Sequence, residues 1–113
     1  MKENTSKVIE KTCSAFGITI EELLSRKRTE KLFLARMAFA KIAYYSCGLS
    51  MSKIGKIINK HHTTISTYIS LYHDEYRYNK VFRTFVDAMG DIDIEIKTDF
   101  HREIEQELNE IIG

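Results

Sequence analysis

Apolar residues recur at intervals of three and four along most of the chain, the spacing that turns one face of an α-helix toward a core. Val8, Ile9, Thr12, Cys13 and Phe16 follow it across residues 5–16, and Gly17 is placed to end that helix because glycine takes positive φ without strain. Thr19 stands three residues before Glu22, the capping-box spacing in which each side chain satisfies a backbone N–H of the first turn. Ile20, Leu23 and Leu24 then give a short second helix over 20–25 its apolar face. Thr29 caps a third helix over 30–46, in which Leu32 to Leu34, Met37, Phe39, Ile42, the alanines and Tyr44–Tyr45 leave almost no polar side. A helix of that kind is buried on most sides and serves as a spine, with Gly48 ending it.

Ser50 caps a fourth helix containing Met51, Ile54, Ile57 and Ile58. Gly55 lies inside it at a propensity cost of about 1 kcal/mol, and a glycine there permits close contact. The turn at 59–61 leads to a fifth helix over 62–73, where Ile65, Ile69 and Tyr72 point inward and Thr63, Thr64, Ser66, Thr67 and Ser70 point out. Asn79 caps a sixth helix running through Val81, Phe82, Phe85, Val86 and Met89 to a stop at Gly90. Beyond it, Ile92, Ile94 and Ile96 alternate with acids as in a strand, yet Ile92, Ile96, Phe100, Ile104 and Leu108 also keep a spacing of four, so strand and helix both stand for 91–97. A final amphipathic helix is expected over 100–112.

The absence of proline and the presence of only 5 glycines in 113 residues agree with an all-α fold. The expected organisation is a six-helix domain over 1–90 and an acidic amphipathic extension over 91–113, the latter an element for dimerisation or a protein partner. No run of 18 apolar residues occurs and the first ten residues lack an apolar signal segment, so the expectation is a cytoplasmic protein without a membrane partner. Cys13 and Cys47 fall in apolar-periodic segments without metal-ligand spacing and read as buried thiols.

Charge sharpens this outline. The net charge is +1, but residues 1–83 carry 15 Lys and Arg against 7 Asp and Glu, while 84–113 carry 2 against 9. From Lys31 to His73 there is no carboxylate side chain, and Lys31, Arg36, Lys41, Lys53, Lys56 and Lys60 all fall in that window. Such a surface does not repel phosphate. Within it, residues 52–68, SKIGKIINKHHTTISTY, read as a short helix, a turn and a polar-faced second helix, the pattern of a helix-turn-helix. Upstream, Arg26, Lys27 and Arg28 make the densest positive cluster, in an interhelical loop.

In this order and spacing the features resemble the C-terminal DNA-binding domain of the bacterial replication initiator DnaA. Over residues 8–89 the chain has a first helix, the short IEELLS helix, the basic loop RKRT, a long helix with Arg36 inside it, then KIG, a turn, and HTT opening the second helix of the motif. The resemblance implies a six-helix domain related to the Trp repressor that binds double-stranded DNA. It implies that Arg28 enters the minor groove and that His62 and Thr63 touch base edges in the major groove. Arg36, Lys53, Lys60 and Thr64 would lie near phosphates or flank the recognition helix, with Arg26, Lys27, Ser52, Lys56, His61 and Thr67 completing the surface. The chemistry is consistent: arginine gains from the negative potential of a narrow minor groove, a threonine methyl packs on thymine, and lysines on phosphate fix register without reading sequence. Two departures stand out. Asn59-Lys60-His61 replaces a Gly-Gly-Arg-Asp approach with one residue fewer, and His61 takes the place of an aspartate that accepts from a base, so a different preferred DNA sequence is expected.

Each of these residues also has a plainer explanation. His61 and His62 could be no more than a polar helix start; metal binding is disfavoured because adjacent histidines diverge on a helix and no third ligand is near in sequence. Arg36 could pair with a carboxylate such as Glu22, and the six tyrosines could be core edges in place of a base-stacking platform. No nucleophile–base arrangement and no Gly-x-x-x-x-Gly-Lys-Ser/Thr phosphate loop occurs, so neither an enzyme, a cofactor nor a small-molecule substrate is expected. The function expected is sequence-preferring binding of duplex DNA, as a regulator of replication initiation or transcription without ATPase activity. The alternatives are a protein-interaction module on a DNA-binding-like scaffold, and the DNA-binding part of a transposase or recombinase system.

Overall fold

A computed structural model describes residues 5–89. Among them the chain is all-α, with six helices: α1 (Thr5–Phe16), α2 (Ile20–Leu24), α3 (Glu30–Tyr45), α4 (Met51–Ile58), α5 (His62–Tyr78) and α6 (Lys80–Asp87). Gly90 as a helix stop, the strand-or-helix question over 91–97, the helix over 100–112 and the partner role of 91–113 fall outside the described residues.

The local signals act as their chemistry requires. Thr19 Oγ1 accepts from Glu22 N–H and Glu22 Oε1 accepts from Thr19 N–H, both at 3.0 Å. Thr29, Ser50 and Asn79 cap α3, α4 and α6 by accepting from Leu32, Lys53 and Phe82 N–H. Each such cap replaces water at a backbone donor that the helix cannot satisfy internally, worth about 1 kcal/mol. Gly17, at φ 66°, ends α1, which closes with Ile18 N–H on the Cys13 carbonyl.

Helix α3 is the spine, packed against α1, α2, α4 and α5. Leu32, Leu34, Met37, Phe39, Ile42 and four alanines along it are buried, and α5 and α6 close the core with Ile65, Tyr72, Phe82 and Val86. Phe16 of α1 meets Phe82 and Phe85 of α6, which ties the ends of the domain together. Cys13 and Cys47 are buried free thiols, and burial pushes the Cys13 thiol above its ordinary pKa.

Two features differ from the sequence expectation. Helix α5 runs on past His73 to Tyr78. Its apolar spacing continues from Tyr72 to Tyr76, whose rings stack with centroids 6.0 Å apart. Its last carbonyls are satisfied from outside, because the Arg83 guanidinium donates to Tyr76 O and Arg77 O at 3.0 and 2.6 Å. The second difference is that two cations of the acid-free window are interior: Arg36 and Lys41 are 2% and 0% exposed. Lys41 Nζ lies 2.9 Å from His73 Nε2 and 3.9 Å from the centroid of the Tyr45 ring, so it adds nothing to a phosphate-facing surface.

Candidate nucleic-acid interface

Helix α4, the turn at 59–61 and α5 form the helix-turn-helix. In α4, Ile54, Gly55 and Ile58 face inward, leaving Ser52, Lys53 and Lys56 exposed on the other side. In α5, Ile65, Tyr68, Ile69 and Tyr72 are buried, while His61, His62, Thr63, Ser66, Thr67 and Ser70 are exposed. The exposed face carries short hydroxyls and imidazoles, side chains that can approach a base edge closely. Thr67 Oγ1 donates to the Thr63 carbonyl at 3.0 Å, so it presents its lone pairs outward.

The turn is tight for a reason the sequence half conceals. Asn59 adopts φ 58° and ψ 49°, the left-handed conformation that asparagine tolerates best after glycine. Lys60 N–H then bonds to Gly55 O at 2.8 Å, closing the end of α4. The Lys60 carbonyl returns so close to Gly55 that a Cβ there would collide with its oxygen. Gly55 therefore admits the turn itself onto α4, and a two-glycine approach is not required.

His61 is the N-cap of α5, with extended backbone and Nδ1 facing the first turn. Thr63 N–H lies 3.3 Å from that nitrogen and Thr63 Oγ1 lies 2.8 Å from it. Because His61 precedes the helix, its ring does not diverge from that of His62; the centroids are 4.3 Å apart at 35°. Among the described residues no group of three His, Cys, Asp or Glu side chains could hold a metal ion.

The basic loop between α2 and α3 carries exposed Arg26, Lys27 and Arg28. A cleft of about 530 Å³ joins this loop to the start of α5, lined by Arg28, Thr29, Glu30, Phe33, Arg36, Lys60, Thr64 and Tyr68. Phe33 and Tyr68 meet edge to face with ring centroids 5.6 Å apart. Burial, then Arg36 and Arg28, pull the Lys60 ammonium below its ordinary pKa. Burial raises the Tyr68 hydroxyl, opposed by Arg36 and Arg28. The cleft thus gathers Arg28, Arg36 and Lys60 at a partly dehydrated surface beside the carboxylate of Glu30, and an anion there would favour the charged form of Lys60.

Arg36 lines this cleft beside Lys60 and Thr64, but as a buried residue. Its guanidinium is turned inward and donates from Nε to Leu23 O at 2.9 Å, from Nη1 to Lys27 O at 2.7 Å, and from Nη2 to Glu22 O and Ser25 O at 3.1 and 2.6 Å. The alternative of a Glu22 carboxylate partner is not what forms either, since that carboxylate accepts from Thr19 N–H while Arg36 takes the Glu22 backbone oxygen. Four bonds from one planar fork hold the end of α2 and the basic loop, so Arg36 sets where Arg28 stands. Sequence reasoning does not single out Tyr68 and Phe33 as cleft residues; Tyr68 lies one helical turn from Thr64, and that spacing is the available signal.

Residues 5–70 match the family model for the bacterial dnaA protein helix-turn-helix. The chain is similar to the chromosomal replication initiator protein DnaA of Oleidesulfovibrio alaskensis, 36% identical over 58 residues, covering 51% of this chain and 13% of that protein. It is 37% identical over 65 residues to the protein of the same name from Thermoanaerobacter sp., covering 57% and 15%. With that of Pseudothermotoga lettingae it shares 32% over 60 residues, covering 53% and 14%. The matched region thus spans 13% to 15% of these relatives' length.

Proposed function

This chain belongs to the family of bacterial DnaA helix-turn-helix domains, a DNA-binding family, and on that premise we propose that it reads duplex DNA through two grooves at once. The α5 N-terminus enters the major groove with His61, His62 and Thr63, while Arg28 enters the adjacent minor groove. Lys53, Lys56 and Lys60, with Arg26 and Lys27, meet the phosphates, and Ser52, Thr64 and Thr67 flank them. The observation that supports this most directly is the shared cleft, which puts Arg28 on the same face as Lys60 and Thr64. We further propose that the protein regulates replication initiation or transcription by occupying a site, and that its 113 residues act without hydrolysing ATP, since they contain no phosphate loop.

Fluorescence-anisotropy titration of selected and random duplexes at two salt concentrations tests the reading. Neutralising five phosphates gives a salt slope near −4.5, so affinity should fall on the order of 500-fold between about 50 and 200 mM salt. Arg28→Ala and Thr63→Ala should erode the preference for the selected duplex, whereas Lys53→Ala should weaken all duplexes about equally. Failure to bind any duplex at the lower salt concentration would overturn the proposal.

A further inference from the structure

We propose that His61 reads DNA as a hydrogen-bond donor, offering Nε2–H to the exocyclic oxygen of guanine or thymine in the major groove. The inference rests on the duplex-reading function proposed for this chain, and its basis is the use the fold makes of the other ring nitrogen.

Nδ1 of His61 lies 3.3 Å from the backbone N–H of Thr63. A backbone N–H only donates, so the cap exists only if Nδ1 carries a lone pair. The Thr63 hydroxyl, 2.8 Å from the same atom, can turn its proton inward and share that lone pair. The position adds a second reason. His61 stands at the N-terminus of a 17-residue helix, where partial positive charge favours a lone pair over an N–H pointing at the first turn. A neutral imidazole accepting at Nδ1 carries its proton at Nε2. His61 is exposed, so that proton is presented away from the helix, and the neighbouring His62 ring at 4.3 Å restricts the plane in which it swings.

The polarity has a direct consequence for base choice. Guanine and thymine present O6 or O4 in the major groove, while cytosine and adenine present N4–H₂ or N6–H₂ there. At the exocyclic position a donor at Nε2 is matched to the first pair and opposed to the second, so cytosine, which has no other major-groove acceptor, is excluded most strongly, while adenine keeps an acceptor at N7. A carboxylate at the same position would cap the helix equally well but could only accept, so it would favour cytosine or adenine. The capping contact thus settles which of the two imidazole nitrogens is left for DNA, and with it the class of base that is read.

The test uses the full chain and its His61→Asp variant, each selected against a random duplex pool, together with long-range ¹H–¹⁵N spectra of the wild-type imidazoles. Aspartate is a strong N-cap, so the variant retains the fold. The wild type should enrich guanine or thymine at one position, and His61→Asp should exchange it for cytosine or adenine there, with discrimination of about tenfold each way. The spectra should show His61 protonated at Nε2 and bare at Nδ1. An Nδ1–H tautomer, or the same base enriched by both proteins, overturns the proposal. A wild type that enriches no duplex while showing the expected tautomer overturns it too, and places the fault in the duplex-reading function.

Discussion

Replacing Arg36 separates a residue that touches DNA from one that holds the part that does. In Arg36→Met the side-chain volume is nearly kept, but Leu23 O, Ser25 O and Lys27 O each lose a charge-assisted bond, while Glu22 O retains the Ser25 N–H and hydroxyl. Bonds to a charged donor contribute about 1.5–3 kcal/mol each in mutational series, but such losses do not add. Three circumstances reduce the total: the Ser25 and Lys27 contacts are only partly buried, water can reach the freed carbonyls, and methionine removes the cost of burying the guanidinium, whose pKa burial already lowers. A net loss of about 2–4 kcal/mol is expected, against roughly 4–13 kcal/mol for a domain of this size. The expected readout is a lowered urea midpoint.

The DNA arm of that experiment carries the sharper distinction. A basic loop released from Arg36 must be ordered again on binding, and fixing backbone costs about 1–2 kcal/mol per residue. Specific affinity should fall about 10- to 100-fold, while the salt slope stays within experimental error, because Arg26, Lys27 and Arg28 keep their charges. A phosphate-contacting Arg36 would behave in the opposite way, lowering the slope by about 0.9 with little change in stability. That second outcome would falsify the loop-holding role. Arg36→Lys keeps the charge but replaces the planar fork with a point donor, so recovery of both stability and specific affinity in that variant would likewise count against it.

Three further outcomes follow from the same geometry. Gly55→Ala should lower stability by about 1–3 kcal/mol in urea melts despite the better helix propensity of alanine, because its Cβ meets the Lys60 carbonyl; a more stable variant would show that the turn can yield. The Thr19 backbone N–H holds the Glu22 carboxyl below its ordinary 4.5, so its contribution is full above that value and fades as pH falls through the lower folded one. Urea midpoints from pH 6 down to pH 3 should therefore decline less steeply in Glu22→Gln, whose amide oxygen still accepts from Thr19. Lys60 titrates below the usual lysine range in the free protein, and a phosphate would restore it, so binding should take up a proton at alkaline pH and weaken as pH rises. Lys60→Arg should remove that dependence in anisotropy titrations.

Helix caps and apolar spacing were legible because they are local: Thr19, Thr29, Ser50 and Asn79 act on backbone donors within three residues of themselves. The helix-turn-helix was legible for the same reason. What failed to show was the destination of side chains whose partners are distant in sequence. Arg36 and Lys41 counted toward an electropositive surface, yet a helix without a polar side has nowhere to present a cation to solvent. The apolar surroundings of both residues in α3 already implied interior roles. Their partners, carbonyls at 22–27 and a histidine at 73, could not be read from spacing. The extension of α5 was hidden in the same way, because its C-terminal carbonyls are satisfied by Arg83, a residue of the next helix.

The same division bears on how this domain could acquire a new DNA target. Arg36, Gly55 and the α3 core fix the positions of the basic loop and α5, and both Arg36 and Gly55 are buried. The residues that differ from the family's approach to His-Thr-Thr, Asn59 to His61, lie in the turn, where Asn59 supplies the left-handed backbone and His61 supplies the cap. A substitution at His61 that still caps α5 leaves the packing behind the helix untouched while changing which atom is offered to a base. On the proposed reading, docking geometry and base choice should therefore be separable. Changes in sequence preference should concentrate in three or four residues of the turn and first helical turn, at little cost in stability, whereas changes behind the loop should alter stability and affinity together.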